Sequence, residues 1–243
     1  MENISIQKIK WIKSLHLKKN RENEGLFIVE GYKIVQELIQ NSPNSIKLIV
    51  GTSEALNTIS AFNLEKQFSA KLDELERMSG LNSPSPILAV VEKIEPALLD
   101  FSKKILILDN IQDPGNLGTI IRTADWFGIT QIVCSENTVD LYNYKTLQST
   151  MGSFLRVNVY YKNLTDFLKE IKLPITGALM NGTNINDIDP NSIRVLILGN
   201  EGKGISQEVI NLITNPITIK GYGGAESLNV GIAAGILMHH WSK

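Results

Sequence analysis

The chain has 243 residues, 43% of them apolar, and a formal net charge of −1. That length allows one large domain or two small ones, and the composition suits a packed core. The near-neutral charge excludes a uniformly basic coat of the kind that binds nucleic acid over a whole surface. Cys134 is the only cysteine, which excludes an internal disulfide, and no Cys/His spacing suits zinc, so no metal is expected.

The charge is unevenly distributed. Residues 1–21 carry Lys8, Lys10, Lys13, Lys18, Lys19 and Arg21 against only Glu2. Residues 6–18 place Ile9, Ile12 and Leu15 about one turn apart with lysines between them, the pattern of a basic amphipathic helix. Such a face can bind RNA phosphates, or it can simply be solvated. LFIV (26–29) reads as a buried strand, residues 32–40 as a helix and KLIVG (47–51) as a second strand. A mixed segment follows, with a helix expected over 71–78. The Ser83-Pro84-Ser85-Pro86 turn leads into a third strand, ILAVVE (87–92). Residues 1–95 therefore read as a small α/β domain and 96–103 as a linker.

From residue 104 to 243 strands alternate with helices. The expected strands are 105–108, 131–134, 156–160, 175–179, 194–198 and 217–219, and the clearest helices are 117–127, 163–171, 206–213 and 228–238. Near-continuous apolar strands separated by helices predict a mostly parallel sheet covered on both faces. Cys134 falls in one of these strands and reads as a small core residue. No signal peptide is recognisable at the amino terminus, and the longest apolar stretch, 230–238, is too short to span a bilayer. No membrane association and a cytoplasmic location are expected.

Three segments share one layout: a short apolar strand, a loop rich in Gly, Asn and acidic residues, then a helix. They are DNIQDPGNLGTIIRTADWFG (109–128), LILGNEGKGIS (196–206) and IKGYGGAESLNVGIAAG (219–235). In open α/β sheets, ligand sites form where such loops meet at the carboxyl ends of strands. None is a standard phosphate loop: G-x-x-x-x-G-K-S/T is absent, and Gly202-Lys203-Gly204 lacks the third glycine of a dinucleotide fingerprint. In the first segment Leu117, Ile120, Ile121, Ala124 and Phe127 form an apolar stripe, which leaves Arg122, Thr119 and Trp126 on the opposite side. Asn116 and Ser227 stand where helix N-caps are expected, and Glu201 can accept a hydrogen bond or be a solvated turn residue. The last helix is apolar nearly all round, so it must be covered on more than one side, which predicts a homodimer.

The order and wording of these segments resemble the SpoU/TrmH family of S-adenosylmethionine-dependent RNA ribose 2′-O-methyltransferases. The residues that carry the resemblance are N-x-G-x-x-x-R (Asn116, Gly118, Arg122), the complete G-N-E-G-x-G-I/L-S pattern at 199–206, and Ser-Leu-Asn-Val at 227–230. GALMNGTNI (177–185) resembles the family loop beside the cofactor. STMGSFLRV (149–157) resembles a stretch near the substrate side, and FIVEGYKIVQELI (27–39) resembles the family's L30e-like RNA-binding domain. Two places depart from the family pattern: Lys220 stands where Pro is usual, and the chain ends His239-His240-Trp241 where a Tyr-Glu type ending is common.

The resemblance implies methyl transfer from S-adenosylmethionine to a ribose 2′-OH of RNA, with ribosomal RNA favoured over transfer RNA. It implies a trefoil knot in the second domain, a rare exception to the no-knot rule. It makes Arg122, Asn116, Glu201, Ser227 and Asn229 the catalytic set. It assigns the cofactor to Leu179, Met180, Asn181, Gly199, Asn200, Gly202, Ile219 and Leu228. Arginine stays charged in proteins, so a clamp on the phosphate beside the reacting ribose is a simpler role for Arg122 than that of a base. The alternatives are a catalytically silent RNA-binding protein on the same fold, which the intact set of five residues argues against, and a nucleotide-binding oxidoreductase, which the glycine spacing disfavours.

Overall fold

The computed structural model of the chain describes residues 2–59 and 64–243. In chain order the elements are β1 (Glu2–Asn3), α1 (Ile6–Ser14), α2 (Lys18–Glu24), β2 (Leu26–Glu30), α3 (Tyr32–Asn41), β3 (Ile46–Gly51), α4 (Ser53–Asn57), β4 (Gln67–Ser69), α5 (Leu72–Met78) and β5 (Ile87–Glu92). They continue with β6 (Ile105–Leu108), α6 (Pro114–Trp126), β7 (Gln131–Ser135), α7 (Tyr144–Thr150), β8 (Asn158–Lys162), α8 (Leu164–Glu170), β9 (Ile175–Asn184), β10 (Val195–Leu198), α9 (Gln207–Ile210), β11 (Asn215–Thr218) and α10 (Val230–Trp241). Part of the mixed segment expected after Gly51 lies outside the described residues.

The chain forms two units. One comprises Met1–Glu95 with Tyr142–Gly152, the other Pro96–Leu141 with Ser153–Lys243. The first holds a mixed sheet in the order β1-β4-β3-β5-β2. One face is closed by α1 and α5, where Ile9, Ile12, Leu75 and Met78 pack with Ile28, Leu48, Val50 and Val90. β5 is buried along Ile87–Val91 because both of its faces are covered, and its run therefore shows no polar alternation.

Two sequence expectations change in this unit. The amino-terminal helix does not run to residue 18; it ends at Ser14, and α2 begins at Lys18. The break is held by Arg21, whose guanidinium donates to the carbonyls of Leu15 (3.0 Å) and His16 (2.7 Å) and is buried. The second change is α7, which a contiguous 104–243 domain would have contained. Thr146, Leu147 and Thr150 are buried and the helix packs on β2. Tyr142 lies 4.4 Å from Phe27, ring to ring, and its hydroxyl accepts from Ile94 N–H and donates to Ile94 C=O. The segment YKTLQST has no apolar stripe, so periodicity could not reveal it.

The second unit holds a six-stranded sheet, order β11-β9-β10-β6-β7-β8, in which every pair is parallel. Ile105, Ile107, Val133, Val195 and Ile197 face α8 and α9, where they meet Leu164, Phe167, Leu168 and Val209. Alternate residues point the other way, and Leu106, Leu108, Leu196 and Leu198 are buried too, so both faces are covered. Helices α6 and α10 pack on each other. Cys134 is fully enclosed, and burial pushes its thiol well above the usual range.

β9 is longer than expected, running through residues read as a loop. Its pairing with β11 jumps: Pro216 lies opposite Gly177, but Ile217 lies opposite Thr183. The intervening residues, including Leu179, Met180 and Asn181, bulge out of register, and Met180 is 73% exposed. Gly182 permits this return, because a Cβ there would sit 2.5–2.7 Å from the backbone of Ile217. No described helix is long and apolar enough to cross a membrane.

Candidate active site

Parallel strands present their carboxyl ends on one edge of the sheet, and β11, β9, β10 and β6 are consecutive neighbours. The three Gly-rich segments and the β9 bulge therefore emerge side by side, as sheet topology requires of loops in this position.

The loop after β10 is the most tightly built. Asn200 and Gly204 exchange backbone hydrogen bonds of 2.9 Å each way, and Asn200 Oδ1 accepts from the N–H groups of Gly202 and Lys203. Gly199 makes the closure possible: a Cβ there would lie 2.2 Å from Ile205 N. The Asn200 amide nitrogen then donates to the carbonyl of Asn110 at 2.7 Å, which ties this loop to the one after β6. Asp109 completes the tie, since its buried Oδ2 accepts from Ser206 N–H (2.8 Å) and Ser206 Oγ (2.7 Å).

Beyond this tie lies a chain of three side chains, from the first turn of α6, the β10 loop and the cap of α10. Asn229 Nδ2 donates to Asn116 Oδ1 at 3.0 Å, and Asn116 Nδ2 donates to Glu201 Oε1 at 2.9 Å. Asn200 donates to the other Glu201 oxygen at 3.3 Å. Both ends of the Asn116 amide are used, so its orientation is dictated by its neighbours.

Capping differs from expectation at both helices. Asp113, not Asn116, caps α6, accepting from Asn116 N–H at 2.8 Å, with Pro114 in the first turn. That frees the Asn116 side chain for the chain of hydrogen bonds. Asn229, not Ser227, caps α10, accepting from Gly231 N–H (2.9 Å) and Ile232 N–H (3.3 Å). Ser227 is exposed two residues before it.

Residues 220–229 are all exposed, and among the described residues none of their backbone N–H groups donates within the chain. Tyr222 is 86% exposed, with Lys220 Nζ 5.5 Å from its ring centre; Leu228 is 46% exposed and Ile219 half-buried. Open backbone groups flanked by Met180 and Leu228 suit a ligand with both polar and apolar parts. Among the described residues no group of three His, Cys, Asp or Glu side chains is arranged to hold a metal.

Arg122 stands apart from the Asn229–Asn116–Glu201 chain. It is exposed on α6 and, among the described residues, forms no hydrogen bond or ion pair. Thr119 and Trp126 share its side of the helix, as the sequence pattern expects. The residues that sequence reasoning missed are Asp109, Asn110 and Asp113. The signal was available only for Asp113, as an acidic residue directly before Pro-Gly at a helix start. Asn110 adopts a left-handed conformation, φ 62°, which no pattern in the sequence announces.

An all-parallel α/β unit with its Gly-rich loops on the carboxyl edge of the sheet, joined to a second small α/β unit, defines a two-unit α/β protein with a candidate ligand site at that edge. The particular family follows from direct comparison: residues 103–239 match the model of the SpoU rRNA Methylase family, and the chain belongs to that family. Residues 7–89 match an MRM3-like substrate binding domain. The 23S rRNA (guanosine(2553)-2′-O)-methyltransferase RlmP of Bacillus subtilis is 35% identical over 99% of this chain and 98% of its own length. A solved protein of the TrmH family from Porphyromonas gingivalis, 35% identical, superposes with a TM-score of 0.87 over 98% of both chains. An AdoMet-bound rRNA methyltransferase from Sinorhizobium meliloti, 26% identical, gives 0.85 over 99% of this chain and 96% of its own.

Because Asn229 combines a cap with a network bond, two substitutions separate its roles. Asn229→Ala is expected to lower unfolding free energy by about 1 kcal/mol, because the cap is removed. Asn229→Asp keeps the cap but removes the donor to Asn116, and is expected to unfold in urea close to the unaltered protein. Equal destabilisation of the two variants would show that the Asn116 bond, not the cap, carries the stability.

Proposed function

We propose that this chain methylates a ribose 2′-OH of RNA, with S-adenosylmethionine as donor and ribosomal RNA as the preferred substrate class. The observation that carries the reading is the Asn229–Asn116–Glu201 hydrogen-bond chain, which joins α10, α6 and the β10 loop at one edge of the sheet, with an exposed Arg122 further along α6. Family membership and the relatives named above give it direction. When bound, S-adenosylmethionine supplies an electrophilic methyl carbon and leaves as S-adenosylhomocysteine, so no metal is required.

The residues present fit that donor. Leu179, Met180 and Asn181 on the bulge, Gly199, Asn200 and Gly202 in the β10 loop, and Ile219 and Leu228 on the open segment would hold it. The free backbone groups of 220–229 supply hydrogen bonds, and Met180 and Leu228 supply apolar contact. Lys220 leaves this capacity intact because the contacts come from the backbone. The same membership supports a trefoil-knotted path through these loops.

For the chain's own residues the task is placement, since displacement at carbon depends on aligning the attacking oxygen. Glu201, Asn116, Asn229 and Ser227 orient the ribose. Arg122 grips the adjacent phosphate with its planar fork; because the guanidinium stays charged it does not take the 2′-OH proton, which passes to a water or to that phosphate. The 2′-OH requirement restricts the substrate to RNA.

On this reading Arg122→Ala abolishes methylation while cofactor affinity stays within a few-fold. Arg122→Lys is also poor, because lysine lacks the bidentate fork. Single-turnover rates at saturating cofactor test this, and near-normal turnover of the lysine variant would refute the clamp.

The active form is proposed to be a homodimer. Trp126 (84% exposed), Ile232 (57%) and Ile236 (40%) lie on α6 and α10, which pack on each other, and Arg122 shares the Trp126 side of α6. An apolar patch of this kind is suited to a second copy, and a twofold axis there brings Arg122 close to the partner's site. Light scattering at micromolar concentration is expected to give the dimer mass, and Ile232→Glu the monomer mass together with an inactive enzyme. A monomeric unaltered protein would remove this part of the proposal.

RNA capture is assigned to the first unit, but not with the full basic set. Arg21 is buried in the α1–α2 turn and is withdrawn from it. Lys18 pairs with Glu22 at 3.7 Å, and Lys8 sits 4.5 Å from the Phe68 ring centre. Lys10, Lys13 and Lys19 are exposed. Reversing these three to Glu is expected to weaken RNA binding at least tenfold. It should also flatten the salt dependence, the slope of log K against log salt falling by about 0.7–0.9 for each phosphate that the protein no longer neutralises. An unchanged salt slope would place capture elsewhere.

A further inference from the structure

The amino-terminal edge of the second sheet carries a feature that the methyl-transfer reading does not use. Residues leading into β10, β6 and β7 enclose a cleft of about 300 Å³, lined in part by Lys103, Lys104, Gly128, Thr130, Asn191 and Arg194. The four-residue strands β6 and β10 put roughly 13 Å between this edge and the loops of the candidate active site.

Among the described residues, three cations line the cleft and no carboxylate does. The nearby acids have other partners than Lys104 and Arg194. Asp100 accepts from Ser102 and lies 3.8 Å from Lys103, Asp125 holds Arg156, and Asp189 accepts from Asn191. Lys104 and Arg194 therefore form no ion pair with them. Lys104 donates to the Trp241 carbonyl at the end of α10, a favourable place for a cation. Arg194 donates to the Ser102 carbonyl, but its Nε is buried and donates to nothing among the described residues. Burial and then the charge of Arg194 hold Lys104 below the ordinary lysine range. A helix-capping role accounts for Lys104 alone. It leaves the like charge of Arg194 beside it without a counterpart, and an anion in the cleft would offset that repulsion.

We propose that this cleft binds a phosphate group, presented as a phosphomonoester or a phosphodiester. The volume is at the lower end for small-ligand sites and admits a phosphate with its attached sugar. Arginine beside two lysines, with Gly128 and Thr130 also lining the cleft, matches the chemistry of phosphate recognition.

The test is an amide-resolved NMR titration of the full-length protein with inorganic phosphate, adenosine 5′-monophosphate and a short single-stranded oligoribonucleotide. Saturable shifts are expected at Gly128 and Thr130, weakened at least tenfold in Arg194→Gln. Lys103→Glu, whose side chain is 62% exposed and whose folding is therefore safe, is expected to weaken them as well. Displacement of phosphate from these amides by the oligoribonucleotide identifies the RNA backbone as the source. Tighter binding of the mononucleotide, undisturbed by the oligoribonucleotide, identifies a free nucleotide. Shifts confined to the loops after β9, β10 and β11, or equal responses in the unaltered protein and both variants, would overturn the proposal.

Discussion

The pairing of β6 with β10 is the constraint on which the candidate site depends. These strands are about ninety residues apart in the chain, yet Ile105–Leu108 and Val195–Leu198 run in strict parallel register. Their side chains are almost completely buried on both faces, so a one-residue slip would exchange the side chains packed against the two layers and spoil the fit on each. Register fixed in this way delivers the loop after Leu108 and the loop after Leu198 to the same place. Asp109 can then accept both hydrogen bonds from Ser206, and Asn200 can reach the Asn110 carbonyl. Glu201 sits on a frame closed on both sides before any ligand contacts it.

Hydrogen bonds to a buried carboxylate are worth more than neutral ones, and a buried acceptor left unmet is costly. Asp109 therefore contributes to the site without belonging to its exposed chemistry. It anchors the loop whose next residues hold Glu201. Asn116 and Asn229 extend that anchoring to α6 and α10. A change in the angle between these helices would be felt at Glu201 through two amide bonds.

The other side of the site is built in the opposite way. Residues 220–228 have few internal partners, and their backbone groups and the Tyr222 and Leu228 side chains are open, as is the Met180 side chain on the β9 bulge. A rigid half that orients and an open half that receives is a division suited to binding a large donor while holding a ribose still. The two halves meet at Asn229, which ends the open segment and starts α10.

Much of this was legible in the residues alone. The apolar runs at 105–108 and 194–198, the face separation of α6, and the three glycine-rich segments followed from local periodicity and turn chemistry, which act over a few residues. Asn116, Glu201 and Asn229 could be nominated from the sequence, but their mutual bonding could not, because contact between positions 116, 201 and 229 is a consequence of sheet order. The caps at Asp113 and Asn229, the withdrawal of Arg21 into a turn, and the placing of α7 with the first unit were likewise decided by packing. In each case the local sequence offered more than one partner, and the contacts made in the fold selected one. The sequence by itself determined which elements form and which loops carry chemistry. Only the tertiary structure decided which side chains meet, because that choice belongs to the register and the neighbours of the strands.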